Sequence, residues 1–175
     1  MEHYFQQKDG IGICTANDTT TIYEIINDAA QAYKGIIPAD RFHEPYMPMD
    51  ELETQIKEGV EFWGYREGGL LIGVMGIQDR GEVSLIRHAY VRTTERNKGI
   101  GKKLLKHLVS SANKPILIGT WTDALWAIGF YEKNGFKKVT HAEKEVLLRK
   151  YWSIPERQVE TSVVLADENY FKSYK

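Results

Sequence analysis

Cysteine is nearly missing from this chain: Cys14 stands alone among 175 residues, so no internal disulfide can form. That suits a reducing compartment, where a lone thiol is most simply a small, buried, inert side chain. No apolar run approaches the ~18 residues of a membrane span, and the opening "MEHYFQQKDG" lacks the apolar centre of a secretion signal. A cytoplasmic protein is expected. An excess of one charge is also lacking. The 23 Lys and Arg against 24 Asp and Glu leave a net −1 and a pI near 6.5. Such a chain has no general attraction for nucleic acid or an anionic membrane, and neither is expected as a partner. His3, His107 and His141 fall at no metal-ligand spacing, so no metal is expected. Internal repeats, low-complexity tracts and long linkers are absent too. With 42% apolar and 27% charged residues, residues 1–175 read as one domain with a sizeable core.

What is present begins with periodicity. In "TTTIYEIINDAAQAYKG", Ile22, Ile25, Ile26, Ala29 and Tyr33 share one helical face. Thr21 with Glu24 suits a capping box, and Gly35 ends the run. The segment "IIPADRFHEPYMPM" carries three prolines and cannot be a long helix. A second helix is expected from Asp50 to Glu58, with Asp50 as its cap and Gly59 after it. The period then changes to two. "VEFWGYR", "LLIGVMGIQ" and "EVSLIRHAYV", separated by "EGG" and "DRG", read as an antiparallel meander. "GIGKKLLKHLVSSA" is helical, with Ile100, Leu104, Leu105, Leu108 and Ala112 on its buried side. "KPILIGTW" suits a strand buried on both faces. "DALWAIGFYEKNGF" is a helix stopped by Asn134-Gly135, "AEKEVLLRKYW" another helix, and "QVETSVVLA" the last strand. The fold class is α/β in the α+β sense: a mixed, mainly antiparallel central sheet with one parallel step near its middle.

Where the meander gives way to the next helix stands "RNKGIG", Arg96 to Gly101. Glycines at a helix N-terminus let the backbone approach a ligand closely, and the free N–H groups there favour an anion, most often phosphate. A magnesium-binding phosphate loop of the GxxxxGK-Ser/Thr kind is excluded. Lys102 is followed by Lys103 where the hydroxyl belongs, so nothing at that spacing would hold magnesium. A GxGxxG dinucleotide fingerprint fails as well, because Leu104 replaces its third glycine and the loop follows an antiparallel meander.

The pattern that does match is Arg or Gln, two residues, Gly, one residue, then Gly or Ala. With "FYEKNGF", Phe130 to Phe136, about thirty residues downstream, the chain resembles the GNAT superfamily of acetyl-coenzyme A-dependent acetyltransferases. The resemblance covers roughly Val60 to Leu165. It implies helices on both faces of the sheet and a splayed parallel strand pair. It implies acetyl-CoA as cofactor, its pyrophosphate on backbone amides of Arg96, Asn97, Lys98, Gly99, Ile100, Gly101 and Lys102. The thioester and pantetheine arm would lie along Ala89, Tyr90 and Val91. It implies direct N-acetylation of a primary amine, small molecule or protein. Dimers are frequent in the family, so a homodimer is an open oligomeric state.

The chemistry needs a neutral amine, a stabilised oxyanion and a proton for the departing thiolate. Tyr131 matches the family tyrosine that often protonates that thiolate; half-buried packing is its structural alternative. Some relatives carry a glutamate base where this chain has Leu85. His88 is the neighbouring candidate base, equally suited to the role of a core histidine, and water is a third route. Arg87 suits an anionic substrate group. Strict alternation sends Arg87 and His88 to opposite faces, unless the strand carries a bulge. Ala124 replaces an asparagine that contacts pantetheine in many relatives, and Asp123 beside it either substitutes or caps the helix. The acceptor is expected at the loop carrying Arg41, His43, Glu44 and Tyr46. Trp121 and Trp126 flank the cleft. Cys14 lies far upstream of the motif and is a poor nucleophile candidate. A cofactor-sensing module without catalysis, and an O-acyl or longer-chain transfer, are the other readings left open.

Overall fold

The computed structural model describes residues 8–173. In chain order its elements are β1 (Gly10–Ile13), α1 (Thr19–Ala29), α2 (Met49–Lys57), β2 (Val60–Glu67), β3 (Leu70–Asp79) and β4 (Ser84–Val91). There follow α3 (Ile100–Ser111), β5 (Ile116–Trp121), α4 (Leu125–Lys133), β6 (Lys137–Lys138), α5 (His141–Tyr151), α6 (Glu156–Glu160), β7 (Ser162–Ala166) and α7 (Glu168–Ser173). The strands form one seven-stranded sheet in the order β1-β2-β3-β4-β5-β7-β6. Every pairing is antiparallel except β4 with β5.

The two faces of the sheet follow from alternation along the strands. Ile72, Met75, Ile86, Ile116, Ile118 and Leu165 point to one side, where Leu104, Leu105 and Leu108 of α3 and Ile128 of α4 cover them. On the other side Val60, Phe62, Leu71 and Val74 meet Ile22, Ile25 and Ile26 of α1 and Leu52 of α2. Further along that side Leu85, Leu117, Val164 and Ala166 meet Leu147 and Leu148 of α5 and Tyr170 of α7. Helices therefore lie on both faces, as the resemblance implies.

Several boundaries differ from expectation. The short β1, pairing with β2 from Gly10↔Arg66 to Ile13↔Trp63, carries too few residues to announce itself. Helix α1 begins at Thr19, not Thr21. Its start is fixed by Asp18, whose carboxylate accepts from the Thr15 amide at 2.9 Å and pairs with Arg66 at 2.8 Å. Helix α2 begins at Met49 behind Pro48, so Asp50 sits inside the first turn, where a carboxylate favours the helix dipole. The alternation in "QVETSVVLA" is strand only from Ser162. Pro155 starts the turn of α6, which takes Gln158 to Glu160 and buries Val159.

Two irregularities in the sheet open the site. The parallel pairing of β4 with β5 covers only Ser84↔Ile116, Leu85↔Leu117 and Ile86↔Ile118; past these the strands separate. Opposite, β4 carries a bulge. Gly76 pairs with Arg87 and Val74 with Tyr90, so Met75 faces both His88 and Ala89. His88 takes the left-handed conformation, φ 56°. Gly76 answers the kink: a Cβ there would stand 2.9 Å from the Arg87 carbonyl oxygen.

Candidate active site

The gap between β4 and β5 opens on the α3/α4 side into a cavity of about 600 Å³. Its floor is Ile86 and Ala89 to Val91 on one strand and Gly119 and Thr120 on the other. Its roof is the loop before α3. Asn97 and Gly99 in that loop are both left-handed, φ 65° and 76°. Gly99 is the N-cap and brings no side chain to the helix start, so the first amides of α3 stay available. Gly101 and Lys102 line the same cavity. Arg92 donates its amide to Ile72 of β3, and alternation turns the Val91 amide to the opposite, unpaired edge. Uncapped amides at a helix mouth and an unpaired strand edge thus share one cavity.

Tyr131 of α4 lies in this cavity wall, 7% exposed. Its hydroxyl makes no hydrogen bond among the described residues, and burial holds its pKa well above the ordinary phenol value. It is a proton donor across the neutral range. Trp126, half exposed, stands at the rim against Tyr33, ring centroids 5.8 Å apart.

The gap continues through the sheet. On the α1/α5 side a second cavity, about 100 Å³, shares Tyr33, Ile86, His88, Tyr90, Gly119 and Thr120 with the first. Tyr46, Trp121 and Trp152 add aromatic walls, and Arg87 and Gln158 add polar ones. Trp121 Nε1 donates to the Tyr46 hydroxyl at 2.9 Å, and the Tyr90 hydroxyl donates to that of Tyr33 at 3.3 Å. Burial, the leading cause at each phenol, pushes Tyr33 up to about 12 and raises Tyr46 and Tyr90. His88 is pushed down to about 3, by burial first and by the adjacent Arg87 cation second. Gln55 of α2 gives its amide hydrogen to Glu51 at 3.3 Å, so its oxygen faces His88, whose Nε2 carries the proton.

The expected cofactor residues Ala89, Tyr90, Val91, Arg96, Asn97, Gly99, Ile100, Gly101 and Lys102 line the larger cavity. Lys98 does not: it pairs with Glu95 and borders a separate surface groove beside Lys103. Arg96 reaches across to the Ala29 carbonyl at 3.3 Å. Of the expected acceptor residues, Tyr46 and Arg87 line the smaller cavity. Arg41 stands behind it, donating to Gln158 at 3.5 Å. His43 turns to the Pro45 carbonyl and Glu44 pairs with Lys34 at the surface, both away from either cavity. Leu85 is fully buried under α5. Asp123 makes no cap bond; Ala124 is the N-cap of α4. Cys14 packs beside Gly64, and burial pushes its thiol up to about 12. His3 lies outside the described residues. The helical face of "TTTIYEIINDAAQAYKG" had marked Tyr33 as apolar core, and nothing singled out Gln55, Trp152 or Gln158.

Residues 24–147 match the family model described as an acetyltransferase (GNAT) domain. The chain belongs to the GNAT acetyltransferases. Curated protein sequences offer no match, but solved structures share the GNAT fold. A GNAT-family acetyltransferase from Staphylococcus aureus Mu50 superposes with a TM-score of 0.69 at 19% identity, over 90% of this chain and 96% of that one. The PaiA N-acetyltransferase of Thermoplasma acidophilum, solved with coenzyme A, gives 0.64 at 18% identity, over 90% and 98%. The ribosomal-protein-S18-alanine N-acetyltransferase of Escherichia coli gives 0.63 at 15%, over 90% and 91%. In this GNAT chain no helix among the described residues is long and apolar enough to cross a membrane.

Proposed function

We propose that this chain moves an acetyl group from acetyl-CoA directly to a primary amine. One observation carries the reading: the uncapped start of α3 and the unpaired edge of β4 bound the same cavity. The first supplies N–H groups for a diphosphate. The second supplies N–H groups for the pantetheine arm and the thioester oxygen. The crystal of a relative with coenzyme A supports the same cofactor.

The amine approaches through the gap from the smaller cavity. A C–N bond forms, the oxyanion sits on β4 amides, and the C–S bond breaks with the electron pair going to sulfur. Tyr131 gives that sulfur its proton. For the amine proton we favour water over His88. A histidine held near pKa 3 is a poor acceptor, and its Nε2 hydrogen is already engaged with Gln55. His88 instead holds the bulge that shapes the gap.

Leu85, where some relatives carry glutamate, favours a second reading, an acyl-CoA sensor. Thermal unfolding with acetyl-CoA, ATP and NAD tests the cofactor: a rise with acetyl-CoA alone is expected. Thiol release on an amine panel then separates catalysis from sensing. A rise with ATP or NAD alone, or none at all, overturns the reading.

A further inference from the structure

The smaller cavity says more about the acceptor. Among the described residues its wall contains no Asp or Glu, and the one ionised side chain in it is Arg87. That guanidinium is half-buried and gives one hydrogen bond, from Nη1 to Gln78 Oε1 at 3.2 Å; among the described residues it makes no ion pair. Glu51 and Glu58 are near enough to influence it yet outside ion-pair distance, and Arg80 adds a like charge. Four of its five N–H groups therefore have no protein acceptor among the described residues. Behind the same wall Arg41 donates to Gln158 and buries its Nε with no partner among the described residues. A partly desolvated cation left without its counter-ion is costly unless a ligand supplies one. The remaining wall is aromatic: Tyr33, Tyr46, Trp121 and Trp152.

From these features, and resting on the proposed transfer reaction, we infer that the acceptor is a small amine carrying a carboxylate, with Arg87 as the residue that selects it. About 100 Å³ suits a group of a few heavy atoms. The planar guanidinium matches a carboxylate with two parallel N–H donors. The same positive charge lowers the proton affinity of a nearby ammonium, which raises the fraction of neutral, attacking amine. A polyamine would instead bring cations to a cation.

The test uses glycine, β-alanine and 4-aminobutyrate against their carboxamides. Each is titrated by calorimetry into the protein saturated with coenzyme A, and each is run with acetyl-CoA in a thiol-release assay. For at least one pair the carboxylate is expected to bind tenfold or more tightly than its amide, with a matching difference in KM. In Arg87→Met the preference disappears, and in Arg87→Lys part of it returns; unfolding midpoints confirm that both variants fold. Equal binding of acid and amide, no binding of either, better binding of 1,3-diaminopropane, or a preference that survives Arg87→Met overturns the inference. The two readings fail separately. A carboxylate preference in binding without any thiol release leaves the anion site standing and removes the transferase. Acetylation that ignores the carboxylate does the reverse.

Discussion

Gly101 offers a perturbation whose effects on folding and on ligand binding have opposite signs. It is the second residue of α3 and lines the larger cavity. A Cβ there would meet only Phe130, at 3.5 Å, ordinary van der Waals contact. The free protein thus accepts Gly101→Ala without a clash. Alanine in a helix is favoured over glycine by up to ~1 kcal/mol, so the unfolding midpoint without ligand should hold or rise by about 2–4 °C. If Gly101 is there for a diphosphate, the methyl group stands in the anion's path. Affinity for acetyl-CoA should then fall at least tenfold, or ~1.4 kcal/mol. Acetyl-CoA at about 100 times the wild-type Kd stabilises by ~2.7 kcal/mol, a midpoint shift near 5–10 °C. The variant under the same conditions should show about half that shift or less. Thermal unfolding of both proteins, with and without acetyl-CoA, reads both effects in one experiment. A variant that is more stable and still shows the full ligand shift would refute the reasoning, because the glycine would then serve only the helix start.

Three further outcomes are expected. Tyr131→Phe removes a hydroxyl with no partner among the described residues, so acetyl-CoA should bind within twofold of wild type while kcat falls at least tenfold, ~1.4 kcal/mol in the barrier; equal turnover would return Tyr131 to packing. His88, held near pKa 3 when folded and near ~6.5 when unfolded, binds a proton only in the unfolded chain between those values. Its contribution to stability is therefore intact above pH 6.5 and lost as pH falls, by about 2 kcal/mol at pH 5. Denaturant unfolding should show that loss in wild type and not in His88→Asn, asparagine being tolerant of the left-handed backbone; equal losses in both proteins would exclude a buried neutral histidine. Cys14→Ala should keep wild-type turnover in the thiol-release assay, since a thiol raised to about 12 is not a nucleophile at neutral pH; lost turnover in a folded variant would demand a covalent step.

The larger cavity's lining loop was legible because its determinants are contiguous. Arg96 to Gly101 carries the left-handed backbone, the side-chain-free cap and the helix start within six residues. The meander was legible for the same reason, since alternation and glycine turns are local signals. The smaller cavity was legible only in part: Tyr46, Arg87 and Trp121 stood out, but Tyr33, Trp152 and Gln158 come from separated stretches of chain and each looks locally like core or surface. Lys98 sits inside the motif, and its side chain pairs with Glu95, three residues back.

The bulge explains why even the side of the sheet was hard to assign on β4. Strict alternation from Leu85, buried under α5, would send Arg87 to the α1/α5 face and His88 to the α3/α4 face, with Tyr90 beside His88. The extra residue at His88 shifts the phase by one. Arg87 and His88 now share the α1/α5 face, Arg87 in the smaller cavity and His88 against Phe62 and Gln55. Ala89 and Val91 pack on the α3/α4 face, and Tyr90 joins the α1 cluster. The consequence is a division of labour along one strand. Small Ala89 and Val91 face the larger cavity, while the cation and the phenols gather at the smaller one. One inserted residue, allowed by the missing side chain at Gly76 opposite, thus places Arg87 and Tyr90 on the α1/α5 side together.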